Sequence, residues 1–417
     1  MKLTNEERRM ADGERGEAVA LAMEVMATLG ERYDAPDMVP IKGAHVDGCI
    51  YRGDGEASLV FAEHLAARGA RVAVPTTLSA GARDLDRWRE MRLPEAFAAG
   101  CRRMEQAYLS MGTVPAWTCA PYLHAAVLRV GDQVAWAESN AIVYANTVIG
   151  ARTARYGDFS DICAALIGRV PRFDLHVAEN RVGRILVRCP PGALTGFDAA
   201  DPATWSAVGY ALGKRVPDGV PVLEGLPRGA TPDQLKALCA ALATSGNVAL
   251  VHVVGVTPEA PSREQAFAGR QPARVIEIGT RDLEQAHAAL STAGPGPVDL
   301  VNIGCPHASV TEVERIVGLL AGRPVAESVQ FWLKTNRAVR DRLARTPLLA
   351  ALEAAGVTLV TDACIMAGHY YRYWPLRRVV TNSAKYAHYA PTGMRVETLF
   401  RSTAECVEAA VSGTVDG

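Results

Sequence analysis

The sequence predicts an α/β protein made of several α/β/α layered subdomains with mostly parallel sheets. Three observations carry this. Amphipathic helical segments alternate with short apolar runs along most of the 417 residues. The runs are apolar throughout rather than alternating, as strands covered by helices on both faces must be. Finally, 49% hydrophobic and 21% charged residues is an ordinary globular balance, in a chain long enough for two or three cores.

The first element is a helix. Thr4 stands as its N-cap ahead of Glu6 and Glu7, and apolar residues recur at helical spacing through "EAVALAMEVMATLGE", with Gly30 as the stop. Next, "MVPIKGAHVDGCIYRGDGE" is a short apolar run that breaks into glycines. "SLVFAEHLAARG" reads as a helix and "ARVAVPTTLS" as a strand entering a loop. The same helix-then-strand unit returns in "TPDQLKALCAALATSGNVALVHVVGVTPEA" and in "LEQAHAALSTAGPGPVDLVNIGCP". It returns again in "TPLLAALEAAGVTLVTDACI", where Gly356 closes the helix. The Pro/Gly-rich stretches 188–205 and 257–274 read as interdomain crossings or lids.

Charge excludes several function classes. With 44 Lys+Arg against 45 Asp+Glu, net −1, and no basic stretch, neither nucleic acid nor a membrane surface is an expected partner. The charged N-terminus lacks the apolar core of a signal peptide. No apolar run approaches the roughly 18–20 residues of a membrane span. Nine scattered cysteines do not form a secreted disulfide framework, so a cytoplasmic protein with reduced thiols is expected.

In parallel α/β sheets, ligands sit beyond the C-terminal ends of the strands. Cys305, in "VNIGCP", and Cys364, in "VTDAC", both fall there, as do Thr76 and Thr77 in "VPTT". Cys101, Cys163, Cys239 and Cys406 lie in helical stretches and read as core filling. Cys189 ends a strand without polar neighbours, and Cys49 stands near His45 and Asp47. Cys119, Cys305 and Cys364 differ: each is in a loop or at a strand end beside small residues or proline. Three thiolates suit an iron–sulfur centre with one position open, although no Cys-x-x-Cys pair is present. A papain-like arrangement, with Cys305 as nucleophile and His307 or His124 as base, is the rival chemistry; buried thiols without metal are the plain alternative.

Seven segments, "AHVDGCIY", "ARVAVPTTLS", "TCAPYL", "WAESNAIVYANTVIGARTAR", "NIGCPH", "TDAC" and "TNSAKYAHYAP", together resemble the large, cluster-bearing part of aconitase X, in family order. The resemblance covers nearly the whole chain. It implies an aconitase-like fold around a central iron–sulfur cleft, with Cys119, Cys305 and Cys364 as the metal ligands. Aconitases proper place two ligands as a close pair, which this chain lacks, so 2Fe–2S, 4Fe–4S and a single iron all stay open. The family's members dehydrate cis-3-hydroxy-L-proline or mevalonate 5-phosphate, both small hydroxy acids. "HVDGCIY" and "VPTTLSAGARDL" look closer to the hydroxyproline type. The swivelling domain that bears the family's serine base, in a "GRGSS"-like loop, is not found here, which implies a small partner subunit.

On this reading Lys385, His45 and Ser139 are the catalytic candidates. Asn146, Arg152 and His388 are candidates to bind substrate. Thr76 and Thr77 either bind substrate or cap the following helix. Lys385 and His388 also have a plain reading as packing and surface residues. His307 either orients the metal centre through a hydrogen bond or is simply solvated. An iron-sensing or RNA-binding role would require a basic surface that the charge balance does not supply.

Overall fold

The computed structural model describes residues 1–53, 57–123, 127–216, 218–368 and 370–416. Three parallel sheets organise it. The first joins the strands Ala44–Val46, Thr76–Leu78 and Ala135–Trp136; the second joins Ile185–Arg188, Pro221–Glu224, His252–Val253 and Arg274–Glu277. The third joins Leu300–Ile303, Gln330–Thr335, Val357–Thr361, Arg378–Thr381 and Glu397–Phe400. Two short antiparallel pairs, 38–40 with 169–171 and 296–297 with 414–415, are the exceptions. The expected mostly parallel α/β layering is therefore what the chain forms.

In each sheet the strand that comes first in sequence lies inside, and the chain builds to one side before crossing to the other. The reversal leaves a crevice at the C-terminal ends of two neighbouring strands, where a doubly wound sheet offers its ligand site. In the first sheet that crevice lies between the ends of Ala44–Val46 and Ala135–Trp136. In the third it lies between the ends of Leu300–Ile303 and Arg378–Thr381.

Each sheet has its own apolar core, drawn from residues 10–170, from 143–290 with part of 384–400, and from 298–415. A further cluster packs Trp88, Met91 and Leu93 against Trp332 and Tyr370, fixing the first unit to the third. Among the described residues no helix is long and apolar enough to cross a membrane.

Local differences from the sequence reading have identifiable causes. The N-terminal segment forms two helices, Asn5–Ala11 and Glu17–Arg32, because Gly13 and Gly16 take positive φ between them. Thr4 does cap the first, in a reciprocal box with Glu7. Gly30 does not stop the second helix; it lies inside it, where a Cβ would meet Met1 Sδ at 2.6 Å, so its role is close packing. The strand expected over "ARVAV" forms later, at Thr76–Leu78. Cys101, Cys163, Cys239 and Cys406 all lie buried in helices, as expected.

Candidate active site

Three loops meet where the first and third crevices face each other. Gly304 carries the chain out of the Leu300–Ile303 strand at φ +93°, delivering Cys305 directly beyond the strand end. A side chain there would strike the Lys334 carbonyl at 2.2 Å, so only glycine fits. Cys364 follows the Val357–Thr361 strand and is stitched to the first unit: its N–H donates to Gly81 O at 2.8 Å, and Gly81 N–H donates to Asp362 O at 2.8 Å. Cys119 comes from the loop that runs beside Thr76–Leu78, and its carbonyl accepts the Asn140 amide at 2.9 Å.

Burial separates these three from the rest. All nine cysteines are free; Cys119, Cys305 and Cys364 are half-buried and the other six are buried. The three also feel one another. Burial first, then Glu138 and Cys305, pushes the Cys119 thiol up, with Lys385 opposing; burial and Cys305 push Cys364 up, with Lys334 and Lys385 opposing. Thiols so placed become thiolate ligands when a cation offsets their charge. The His307 N–H donates to Cys119 Sγ at 3.3 Å, the kind of contact that stabilises a ligating sulfur. Two lysines stand close by. Among the described residues no three His, Cys, Asp or Glu side chains draw together tightly enough for one bare ion. By chemistry, three half-buried thiols are the donor set that soft, sulfur-ligated centres take.

The charged group beside the thiols is a pair. Lys385, on the helix Ala384–Gly393, donates to Glu138 Oε1 at 2.5 Å and to Ser139 Oγ at 3.2 Å. Burial alone would lower the ammonium's pKa, but Glu138, Cys305 and Cys119 outweigh it and hold Lys385 protonated well above its usual range. Glu138 caps the helix Ser139–Tyr144, accepting Ala141 N–H at 3.0 Å, and also takes the Asn140 amide. Asp47, one residue beyond the Ala44–Val46 strand, faces the same pair. Burial and then Glu138 raise its carboxyl to about 6, against the Ser79 hydroxyl and Lys385. Asp161 fixes that turn by accepting Asp47 N–H at 2.8 Å and Gly48 N–H at 3.2 Å. Lys334, only 3% exposed, lies 5.0 Å from the Tyr386 ring and acts on Cys364.

Not every residue singled out in the sequence joins this group. Lys385 and Ser139 do. His45 is fully buried, with Nδ1 hydrogen-bonded to Thr77 Oγ1 at 2.8 Å, and burial lowers it to about 3 despite the nearby Thr118 backbone, so the ring is neutral. Thr77 is committed to that ring, and Thr76 donates to Val74 O at 2.8 Å rather than capping a helix. Asn146 spends both donors, on Thr153 O and Ala249 O, and its oxygen accepts from Thr153 N and Arg181 Nη1, leaving nothing for a substrate. Arg152 pairs its backbone with Asp132 and Val134, and its charge falls on His176. His388, one turn along from Lys385, hydrogen-bonds Tyr210 at 3.1 Å. With His307 the papain-like pairing is not formed: its ring meets Ala363 O at 3.2 Å through Nε2, and among the described residues its Nδ1 has no partner. His124 lies outside the described residues. Glu138 and Asp47 were missed, though they lie two residues and one residue beyond parallel strands, the position that marked the cysteines.

The comparisons with known proteins agree with this architecture. Three aconitase X family models match in order: the first domain over residues 1–179, the second over 183–288 and the third over 298–412, one for each sheet. Both Pro/Gly-rich stretches fall inside the second match. A Pseudomonas aeruginosa protein named cis-3-hydroxy-L-proline dehydratase is 42% identical over 96% of this chain and 68% of its own length. A Hypocrea jecorina protein of the same name is 38% identical over 100% of this chain and 70% of its own. A protein of Methanothermobacter thermautotrophicus named phosphomevalonate dehydratase large subunit is 39% identical over 93% and 94%. Among solved structures, the holo-form of aconitase X from Thermococcus kodakaraensis superimposes with a TM-score of 0.86 at 30% identity, covering 98% of this chain and all of that one. With the family matched across all three sheets, the chain belongs to the aconitase X family.

Proposed function

We propose that this chain is the thiol-bearing part of a hydro-lyase that removes water from cis-3-hydroxy-L-proline. The observation that carries the reading is the Lys385–Glu138 pair set among three half-buried thiols at the junction of two switch-point crevices. The reaction breaks the Cα–H bond and the C–OH bond on the neighbouring carbon, releases one water and leaves an enamine. The enamine tautomerises to the cyclic imine Δ1-pyrroline-2-carboxylate.

Lys385 stays charged and, with the Ser139 hydroxyl, presents donors for the substrate carboxylate. Glu138 keeps that ammonium aimed, which supplies orientation before chemistry begins. Asp47, poised at about 6, is placed to hand a proton to the departing oxygen. Cys119, Cys305 and Cys364 would hold an iron–sulfur centre, which when bound supplies Lewis acidity toward the hydroxyl. The base for the Cα proton belongs to a small swivel-domain partner subunit. Five of the relatives, 32–39% identical, carry "large subunit" in their names, which supports a two-chain enzyme. Nine free thiols suit a reducing cytoplasm.

Mevalonate 5-phosphate is the second reading, favoured by the extent of the matches. The chain spans 94–100% of those large subunits and 68–70% of the hydroxyproline enzymes. The greater identity of the Pseudomonas aeruginosa relative favours hydroxyproline. The test is to reconstitute the chain anaerobically with iron, sulfide and its small subunit, and then to offer both substrates. Turnover of cis-3-hydroxy-L-proline with imine formation supports the proposal. Turnover of mevalonate 5-phosphate alone overturns it, and robust dehydration by this chain without a partner overturns the two-chain arrangement.

A further inference from the structure

His307 touches each of the three loops that carry the half-buried thiols. It follows Cys305 by two residues. Its N–H donates to Cys119 Sγ at 3.3 Å, and its ring Nε2 meets the carbonyl of Ala363, the residue before Cys364, at 3.2 Å. A carbonyl only accepts, so Nε2 carries the hydrogen. The His307 carbonyl in turn accepts from Lys236 Nζ at 3.2 Å. Lys236 is 1% exposed and locked between Glu312 and Asp233, while Asp233 accepts Ser309 Oγ at 2.8 Å and Thr311 Oγ1 at 2.6 Å. The loop after Cys305 is thus pinned from behind by a buried ion triad and reaches forward to the other two loops.

We infer that His307 is a positioning residue that clamps the three cysteine loops into one register. Its backbone ties the Cys119 loop, its ring ties the Cys364 loop, and Lys236 anchors the clamp. The three loops leave different strands, two in the third sheet and one beside the first, and no disulfide links them. A site assembled from separate loops keeps its geometry only if a supporting shell fixes them. The inference rests on the reading of the thiols as metal ligands, but the clamp itself is testable without metal.

The test compares His307→Leu, which fills the space without a donor, with His307→Gln, which returns an N–H donor near the Nε2 position. In the metal-free full chain, iodoacetamide labelling of each thiol is followed by mass spectrometry, with buried Cys163 and Cys239 as folding controls. Iron retention against a chelator after reconstitution is the second readout. The leucine variant keeps the backbone N–H to Cys119 and loses the ring's tie, so it is expected to label Cys364 about tenfold faster and to lose iron about tenfold faster, with both controls unchanged and glutamine restoring most of each. Wild-type behaviour of the leucine variant, or a glutamine variant impaired as much as leucine, overturns the clamp. If leucine also exposes Cys163 and Cys239, the glutamine variant decides: protected thiols support the clamp and exposed ones overturn it. A wild-type chain that takes up no iron would remove the metal reading, while the labelling still decides the clamp.

Discussion

Lys385 Nζ lies 2.5 Å from Glu138 Oε1, binding the helix that leaves the third sheet to the helix that leaves the first. The two side chains are 15% and 7% exposed, so the pair is shielded and each charge depends on the other. Lys385→Met is expected to cut kcat/KM by about 10²–10³, the scale of losing one aimed donor in a dry site. Glu138→Gln leaves a buried ammonium without its counter-charge and is expected to cost about 3 kcal/mol of stability as well. Steady-state kinetics of the reconstituted enzyme and urea denaturation check both.

Asp47 makes stability fall as pH rises. Its folded carboxyl is raised to about 6 from 3.8, chiefly by burial and by Glu138. A raised acid contributes stability in its neutral form: fully below the unfolded value, and lost as pH climbs through the folded one. Asp47→Asn should therefore match wild type near pH 3.5 and exceed it above pH 7 by about 2 kcal/mol, in urea melts of the metal-free chain. A variant less stable than wild type at pH 7.5 contradicts this assignment.

How far the site could be read from sequence follows from what each residue depends on. The loop and strand-end placement of Cys119, Cys305 and Cys364 was legible because those are local features, and Lys385 and Ser139 lie in motifs of the family. The occupancy of Asn146 was not legible, because Ala249 and Arg181, which take up its amide, are distant in the chain and brought near only by folding. Glu138 was missed: it caps the helix Ser139–Tyr144, and its second partner, Lys385, follows another sheet. The switch points were invisible because strand order is a property of the fold, not of any segment. The strand His252–Val253 is shorter than its apolar run because only Val222 and Leu223 of the neighbouring strand pair with it.

The half-buried thiols should separate cleanly from the core ones. Cys119→Ser, Cys305→Ser and Cys364→Ser are each expected to abolish the visible absorption and bound iron of the reconstituted chain, since a hydroxyl is a poor substitute for thiolate. Cys163→Ala and Cys239→Ala should keep iron at the wild-type level while lowering stability by about 1–2 kcal/mol, as small losses from a packed core. Iron and sulfide assays beside thermal melts decide it, and full iron binding by Cys305→Ser would remove that thiol from the ligand set.

Gly304 tests whether the site depends on backbone geometry as well as on side chains. Its φ of +93° lies where side chains are disfavoured, and a Cβ there would come within 2.2 Å of the Lys334 carbonyl. That carbonyl cannot retreat freely, because it accepts Ala308 N–H at 2.9 Å and lies in a central strand of the third sheet. Gly304→Ala is therefore expected to cost about 2–4 kcal/mol through strain and overpacking. It should also displace the adjacent Cys305 and lower iron content, whereas Gly318→Ala, with nothing within 4 Å of a Cβ, should do neither. Melting temperature and iron per chain, measured on both variants, check the prediction. An alanine at 304 that leaves iron and stability intact would mean that the loop holds Cys305 by some route other than this close approach.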